Sequence, residues 1–170
     1  MATNSNSISL AGEFAVLSQL LLRGYDANVT LGNTKGVDIL VSDSESGRML
    51  RVEVKTRGHL KGGKPGTRSG LFGYSLEWIV SKKNETIDDP SLFYCFVSIV
   101  GDETMGFRFF ILPSEVVAKY VREQHAFWLE DDSSHKDTPI RVFRIALDSE
   151  PRPISTPMAE QYEGNWSFET

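Results

Sequence analysis

The stretch Gly36-Val37-Asp38-Ile39-Leu40 is followed, after a short polar segment, by Arg51-Val52-Glu53-Val54-Lys55-Thr56. Both stretches alternate with period two and are rich in β-branched residues, which predicts two β-strands. The polar segment Ser44-Glu45-Ser46-Gly47 between them is typical of the turn of a hairpin. The sequence therefore predicts an antiparallel hairpin in the first third of the chain.

Asp38, Glu53 and Lys55 are charged residues of this hairpin whose relative placement matters. If the loop has an even number of residues, Asp38 lies opposite Glu53 or Lys55, and all three side chains point to one face. Directly opposed side chains lie about 5 Å apart, and like charges at that distance are destabilising. We interpret the pair of carboxylates as the ligands of a divalent cation.

An amphipathic helix is predicted before the hairpin. Its apolar residues follow helical spacing: Leu10, Phe14, Leu17 and Leu21, with Val16 and Leu20 widening the stripe. Ser7 or Ser9 can cap its N-terminus, and Gly24 stands where the helix would end. On a helical wheel Glu13 falls inside the apolar arc, whereas Gly12 falls on the polar side.

The position of Glu13 admits two interpretations. A carboxylate directed at the core is costly unless it is paired or coordinates a cation, which favours a role in the charged site. The alternative is a glutamate at the rim of the apolar stripe with its carboxylate in solvent.

Along the chain come a helix with Glu13, a strand at 26–31, Asp38, and then Glu53-Val54-Lys55. This order resembles the PD-(D/E)XK nuclease superfamily, and within it small prokaryotic-type members. Val37 stands where the superfamily often has proline. The resemblance implies an α/β fold of the α+β type, with a restriction-endonuclease-like core: a central mixed sheet flanked by helices. The superfamily usually has a helix between the Glu-x-Lys strand and the next buried strand, and residues 58–90 show no strong helical periodicity.

The resemblance also implies an activity, that of a Mg²⁺- or Mn²⁺-dependent endonuclease, which hydrolyses phosphodiester bonds. Asp38, Glu53 and the backbone carbonyl of Val54 would bind the metal, and Glu13 would bind a second metal or a metal-bound water. Lys55 would orient or help deprotonate the attacking water. The implied catalytic residues are thus Asp38, Glu53, Lys55 and Glu13.

The charge distribution indicates a polyanionic partner despite a net charge of −5. Basic residues concentrate directly after the hairpin, in a glycine-rich segment at 58–70, whereas acidic residues cluster near 130–132. We predict nucleic acid, DNA rather than RNA, as the partner, and the predicted contacts are Thr56, Arg57, Lys61, Lys64 and Arg68. The alternative is an ordinary solvated loop.

Other chemistries are disfavoured. The run Gly58-x-x-x-x-Gly63-Lys64 approaches a phosphate-binding loop, but Pro65 replaces the required Ser or Thr and no helix follows. The three histidines lack the spacing of zinc ligands. Two non-enzymatic hypotheses stay open: a binding or scaffold module that keeps the nuclease fold, and a structural ion-pair cluster in which Lys55 bridges the two carboxylates.

The rest of the chain predicts one domain over residues 1–170, with a tail at about 150–170 that packs on the body through Tyr162 and Trp166. Strands are predicted at 72–80, 92–100, 107–112 and 140–147, a helix at 114–129, and a short helix near 82–87. No apolar run has membrane-span length, and Cys95 lies in an apolar stretch, so we expect a cytoplasmic protein. Homodimer formation is left open.

Overall fold

The computed structural model describes residues 4–30, 36–44, 46–58, 66–101 and 105–168. Along the chain the elements are α1 (Ser5–Leu22), β1 (Asp26–Val29), β2 (Ile39–Ser42), β3 (Met49–Arg57), β4 (Thr67–Ser69), β5 (Gly73–Ser81), a 3₁₀ turn η1 (Lys82–Thr86), β6 (Leu92–Val100), β7 (Gly106–Pro113), α2 (Ser114–Asp131), β8 (Ile140–Ala146) and α3 (Ala159–Tyr162). The predicted fold class, a mixed sheet flanked by helices, is confirmed.

The strands form two sheets. The larger has the order β1-β2-β3-β6-β7, in which β3 and β6 are parallel and the other neighbours are antiparallel. The smaller sheet has the order β4-β5-β8 and is antiparallel throughout. The predicted hairpin is formed by β2 and β3, with Ile39 paired to Val52 and Ser42 paired to Met49.

The larger sheet separates two hydrophobic cores. On one face, α1 covers Phe93, Cys95 and Val97 of β6, and we call this the α1-side core. On the other face, the smaller sheet and α2 cover Tyr94 and Phe96, and we call this the α2-side core. Because side chains alternate along a strand, β6 is buried on both faces, which explains its nearly uninterrupted apolar sequence.

The buried face of α1 agrees with the predicted stripe only in part. Val16 and Leu20 of that stripe are buried as predicted, whereas Leu10, Phe14 and Leu21 are exposed and Gly12, expected on the polar side, is buried. The reason is close packing: a Cβ atom at position 12 would lie 1.8 Å from Oγ1 of Thr56. The helix therefore approaches β3 through its glycine.

The predicted N-caps of α1, Ser7 and Ser9, are wrong. The helix already begins at Ser5, and Asn4 is its N-cap, accepting a hydrogen bond from the N–H of Asn6 at 3.0 Å. Gly24 follows the helix with φ +85°, a conformation that favours glycine, so the predicted end of the helix is confirmed.

The connection from β3 to β6 differs from the one that the resemblance implied. In the described part of this connection, β4, β5 and η1 replace the helix that the resemblance implied. The short helix expected near 82–87 is confirmed as the 3₁₀ turn η1. The long helix α2 instead packs against the α2-side core after β7.

The C-terminal residues pack on both cores. Trp166 and Phe168 belong to the α1-side core, and Tyr162 packs against the α2-side core. The Tyr25 hydroxyl donates to the carbonyl of Trp166 at 2.9 Å, and the guanidinium of Arg23 lies 4.8 Å from the Trp166 ring. None of the helices described is both long and apolar enough to span a membrane.

The packing of Gly12 generates a stability prediction. Gly12→Ala should lower the free energy of unfolding by about 1–3 kcal/mol through overpacking, although alanine is the better helix former by about 1 kcal/mol. Chemical denaturation measures the change. Ser18→Ala, an exposed site on the same helix, is the control and should be nearly neutral. Thr56→Ala combined with Gly12→Ala should recover part of the stability.

Candidate active site

The site forms where the pairing of β2 with β3 ends. That pairing covers only Met49–Val52 of β3. The N–H of Asp38 donates to the carbonyl of Val52 at 2.9 Å, and Oδ2 of Asp38 accepts from the N–H of Val54 at 2.7 Å. Because the N–H of Val54 has no residue of β2 opposite it, the Asp38 carboxylate takes that role and lies beside Glu53.

Glu53 and Lys55 form an ion pair on the face of β3 that is turned to the α2-side core. Nζ of Lys55 lies 2.6 Å from Oε1 of Glu53, whose side chain is only 3% exposed. The second oxygen, Oε2, is buried without a hydrogen bond of good geometry to the described residues. A Cβ atom at Gly36 would lie 3.3 Å from this oxygen, so the chain passes close to it.

Glu13 reaches the same place from α1. Burial raises the pKa of Glu13, the charge of Asp38 raises it further, and Lys55 opposes the shift. Burial also raises the pKa of Asp38, with the Val54 N–H and Lys55 opposing it and Glu53 adding to it. The charge of Asp38 thus disfavours ionisation of Glu13, and the charge of Glu53 disfavours ionisation of Asp38. A bound cation would favour the ionised form of both groups.

A cleft of about 800 Å³ opens beside these groups. Glu13, Asp38 and Lys55 line one side, and Arg57, Glu77 and Trp78 line the side formed by the end of β3 and by β5. Glu53 is buried and reaches this cleft through its ion pair with Lys55. The two sheets therefore flank a cleft lined by the carboxylates of Glu13, Asp38 and Glu77 and by the cationic side chains of Lys55 and Arg57.

The donors fit a hard divalent cation, with part of its shell supplied by water. In the described part of the chain, no set of three or more Asp, Glu, His or Cys side chains has the spacing of a metal centre. Mg²⁺ commonly uses one or two carboxylates and retains several waters, so Asp38 and Glu53, with the predicted carbonyl of Val54, are the groups that would hold it. The buried Oε2 of Glu53 is an atom that such an ion would satisfy.

Arg57 has the features of a ligand-binding cation. Its guanidinium lies 5.7 Å from the Trp78 ring, and its Nη1 is buried without a hydrogen bond to any described residue. Burial lowers the pKa of Arg57, partly offset by the charge of Glu77. A buried donor without an acceptor is costly, and an anionic ligand in the cleft would supply one.

The other predicted nucleic-acid contacts fall into three groups. Thr56 lines the cleft and also packs against Gly12 of α1. Arg68 is in β4 and donates to Glu150 at 2.7 Å, with Asp148 at 3.5 Å, so acidic neighbours already balance its charge. Lys61 and Lys64 lie outside the described residues.

The sequence analysis missed contributors from η1 and β6. The charge of Lys83 in η1 lowers the pKa of Asp38. Asn84 is buried, and its Nδ2 donates to the Tyr94 hydroxyl at 2.7 Å. Tyr94 in turn neighbours Glu53 across the β3–β6 pair. The pattern Ser81…Asn84, which caps η1, was the available signal, but it indicates a helix start and carries no information about a distant site.

One of the comparisons with known proteins shows a likeness of fold. No protein-family model matches the sequence, and no curated protein matches it significantly. Among solved structures, the chain is similar to that of the bacterial homing endonuclease I-Ssp6803I, with a TM-score of 0.53 and 13% sequence identity over 96% of this chain and 91% of that chain. At this identity, the likeness shows a shared fold.

The raised pKa of Glu13 generates a pH prediction. A carboxyl group whose folded-state pKa lies above its ordinary value of 4.5 contributes stability at low pH, and that contribution is lost as pH rises through the folded pKa. In chelator at neutral pH, Glu13→Gln should therefore be more stable than the wild type, by less than about 1 kcal/mol because the side chain is partly exposed.

Thermal unfolding at neutral pH and below the ordinary pKa of 4.5 measures this difference, which should vanish at the lower pH. Glu130→Gln, an exposed site on α2, is the control and should leave stability nearly unchanged at both values. A pH-independent gain for Glu13→Gln would contradict the electrostatic explanation.

Proposed function

We propose that this protein is a metal-dependent nuclease of the PD-(D/E)XK type. The observation that carries the proposal is the convergence of Asp38, the Glu53–Lys55 pair and Glu13 at one cleft. Carboxylates are the ligands of a hard divalent cation, and a lysine among them suits phosphodiester hydrolysis. The nuclease fold shared with a homing endonuclease supports this chemistry.

Each residue has a proposed role. Asp38 and Glu53, with the Val54 carbonyl, would hold Mg²⁺ or Mn²⁺, and Glu13 would bind a second ion or an ordered water. When bound, the metal supplies a Lewis acid and lowers the pKa of a coordinated water. The Lys55 ammonium, in the cleft wall and 2.6 Å from Glu53, orients the water and stabilises negative charge on the phosphate.

The proposed substrate is nucleic acid, with DNA favoured. Arg57 offers an unpartnered guanidinium donor within the cleft, and Lys83 adds a positive charge near Asp38. Lys61 and Lys64 follow β3 in the sequence and add two positive charges to that segment. Contacts of this type bind the phosphate backbone and carry no sequence information by themselves.

A non-catalytic nucleic-acid-binding module is the second candidate, and one observation favours it. Oε1 of Glu53 is already engaged by Lys55 at 2.6 Å, in a pair that is largely buried on the carboxylate side. If this pair is the whole role of Glu53, no metal ion is needed at the site and the chain binds its partner without cutting it. Metal binding and cleavage together decide between the two candidates.

The central prediction is metal-dependent cleavage. The purified protein should cut a nucleic acid from a panel of linear, single-stranded and branched DNA and RNA with Mg²⁺ or Mn²⁺, and the activity should disappear in chelator. Asp38→Ala and Lys55→Ala should each lower the cleavage rate by about 100-fold or more. Asp38→Ala should also weaken metal binding, whereas Lys55→Ala should keep metal and substrate bound.

The matched controls are Asp131→Ala and Lys119→Ala, which remove the same charges from exposed positions on α2 and should cut normally. Metal binding without cleavage of any substrate in the panel would support the non-catalytic candidate. If the protein neither binds metal nor cuts, its likeness to nucleases is one of fold alone.

The ion pairs of Arg68 generate a prediction on salt dependence. Lys61→Ala with Lys64→Ala should reduce the slope of log binding constant against log salt concentration by roughly 0.9 for each phosphate that is no longer neutralised. Arg68→Ala should change the slope less, because acidic neighbours already balance that charge. Fluorescence anisotropy with catalytically inactive Lys55→Ala as the background measures both slopes, and an equal effect of Arg68→Ala would contradict this ranking.

A further inference from the structure

We propose that Tyr94 is a positioning residue for Glu53: its hydroxyl donates to Oε2, while Asn84 of η1 holds the hydroxyl in place. This inference rests on the proposed function, because its purpose is to aim a metal-binding carboxylate. It also assigns η1, an element of the β3–β6 connection, to the site.

Glu53 and Tyr94 are direct neighbours in the sheet. They are paired across the parallel strands β3 and β6, so their side chains project to the same face. Both residues are almost completely buried, at 2% and 0% exposure. A buried carboxylate oxygen in this position needs a donor, and water has little access to provide one.

The hydrogen bonds around Tyr94 leave one donor free. Oδ1 of Asn84 accepts from the N–H and the hydroxyl of Ser81, at 2.9 and 3.0 Å, which fixes the orientation of the amide. Its Nδ2 therefore faces Tyr94 and donates to the phenolic oxygen at 2.7 Å. The phenol has one hydrogen of its own, and this hydrogen is available for Oε2 of Glu53.

The Tyr94 phenol is a neutral donor. A tyrosine hydroxyl has an ordinary pKa of about 10 and therefore keeps its proton at neutral pH. Lys55 on Oε1 and Tyr94 on Oε2 then hold the two oxygens of one carboxylate from two sides. Each carboxylate oxygen can accept at two positions, so Oε2 keeps one of them for a metal ion.

The competing explanation is that Tyr94 only fills the core. Its ring stacks on Phe96 with the centroids 5.8 Å apart, a contact that phenylalanine would preserve. Removal of the hydroxyl alone therefore separates positioning from packing. Substitution of a residue that orients a metal ligand typically weakens metal affinity about 10- to 100-fold.

The test compares Tyr94→Phe with Tyr120→Phe in the full chain. Tyr120 is a matched control, because it is a buried tyrosine of the same α2-side core and is not paired with β3. Mn²⁺ titrations followed by electron paramagnetic resonance give the dissociation constants. Tyr94→Phe should weaken Mn²⁺ binding about 10-fold or more, and Tyr120→Phe should match the wild type.

A second variant keeps the test decisive if Tyr94→Phe folds poorly in chelator. Asn84→Asp retains an acceptor for Ser81 but replaces the Nδ2 donor with a carboxylate oxygen, which would draw the Tyr94 hydrogen away from Glu53. It should weaken Mn²⁺ binding as Tyr94→Phe does. A folded variant of either kind with wild-type affinity would overturn the positioning role alone, whereas a wild type that binds no Mn²⁺ would overturn the proposed function and this inference with it.

Discussion

The hydrogen bond from the N–H of Val54 to the carboxylate of Asp38 is the contact on which the site depends. Asp38 stands directly before the first residue of β2, where the pairing with β3 ends, so a side chain replaces a backbone acceptor for β3. This substitution brings Asp38 against β3 beside Glu53 and Lys55. The end of the pairing is also where Glu13 of α1 faces the same cleft.

The resulting cluster of charges is unfavourable for folding stability. Glu13 and Asp38 are both partly buried, and the charge of Asp38 disfavours ionisation of Glu13. Functional sites commonly keep such unfavourable arrangements, and the surrounding structure compensates for them. Here the compensation comes from two well-filled cores on either face of the larger sheet. The rigid sheet holds the charged groups in place even though their mutual electrostatics oppose it.

Local pattern predicted much of this molecule, and long-range packing accounts for the rest. The period-two alternation around Asp38 and Glu53 predicted the hairpin, because one face of each strand is buried. The helical wheel of α1 did not predict the burial of Gly12. Hydrophobicity alone cannot show that this glycine allows close contact with Thr56, which is distant along the chain. The sequence did not reveal the role of Tyr94 for a similar reason. Its neighbours in the strand are apolar, and only the pairing of β3 with β6 places it beside Glu53.

The packing of the C-terminal residues determines when the core beneath the site can be completed during synthesis. The α1-side core, which supports β1, β2 and β3, includes Trp166 and Phe168, and Tyr25 bonds to a carbonyl 141 positions away. Contacts of such separation form late, because a long loop must close first. A ribosome-bound chain that has exposed only α1 to β3 lacks these supports. The α1-side core is therefore complete only after the last strand and the residues that follow it have emerged.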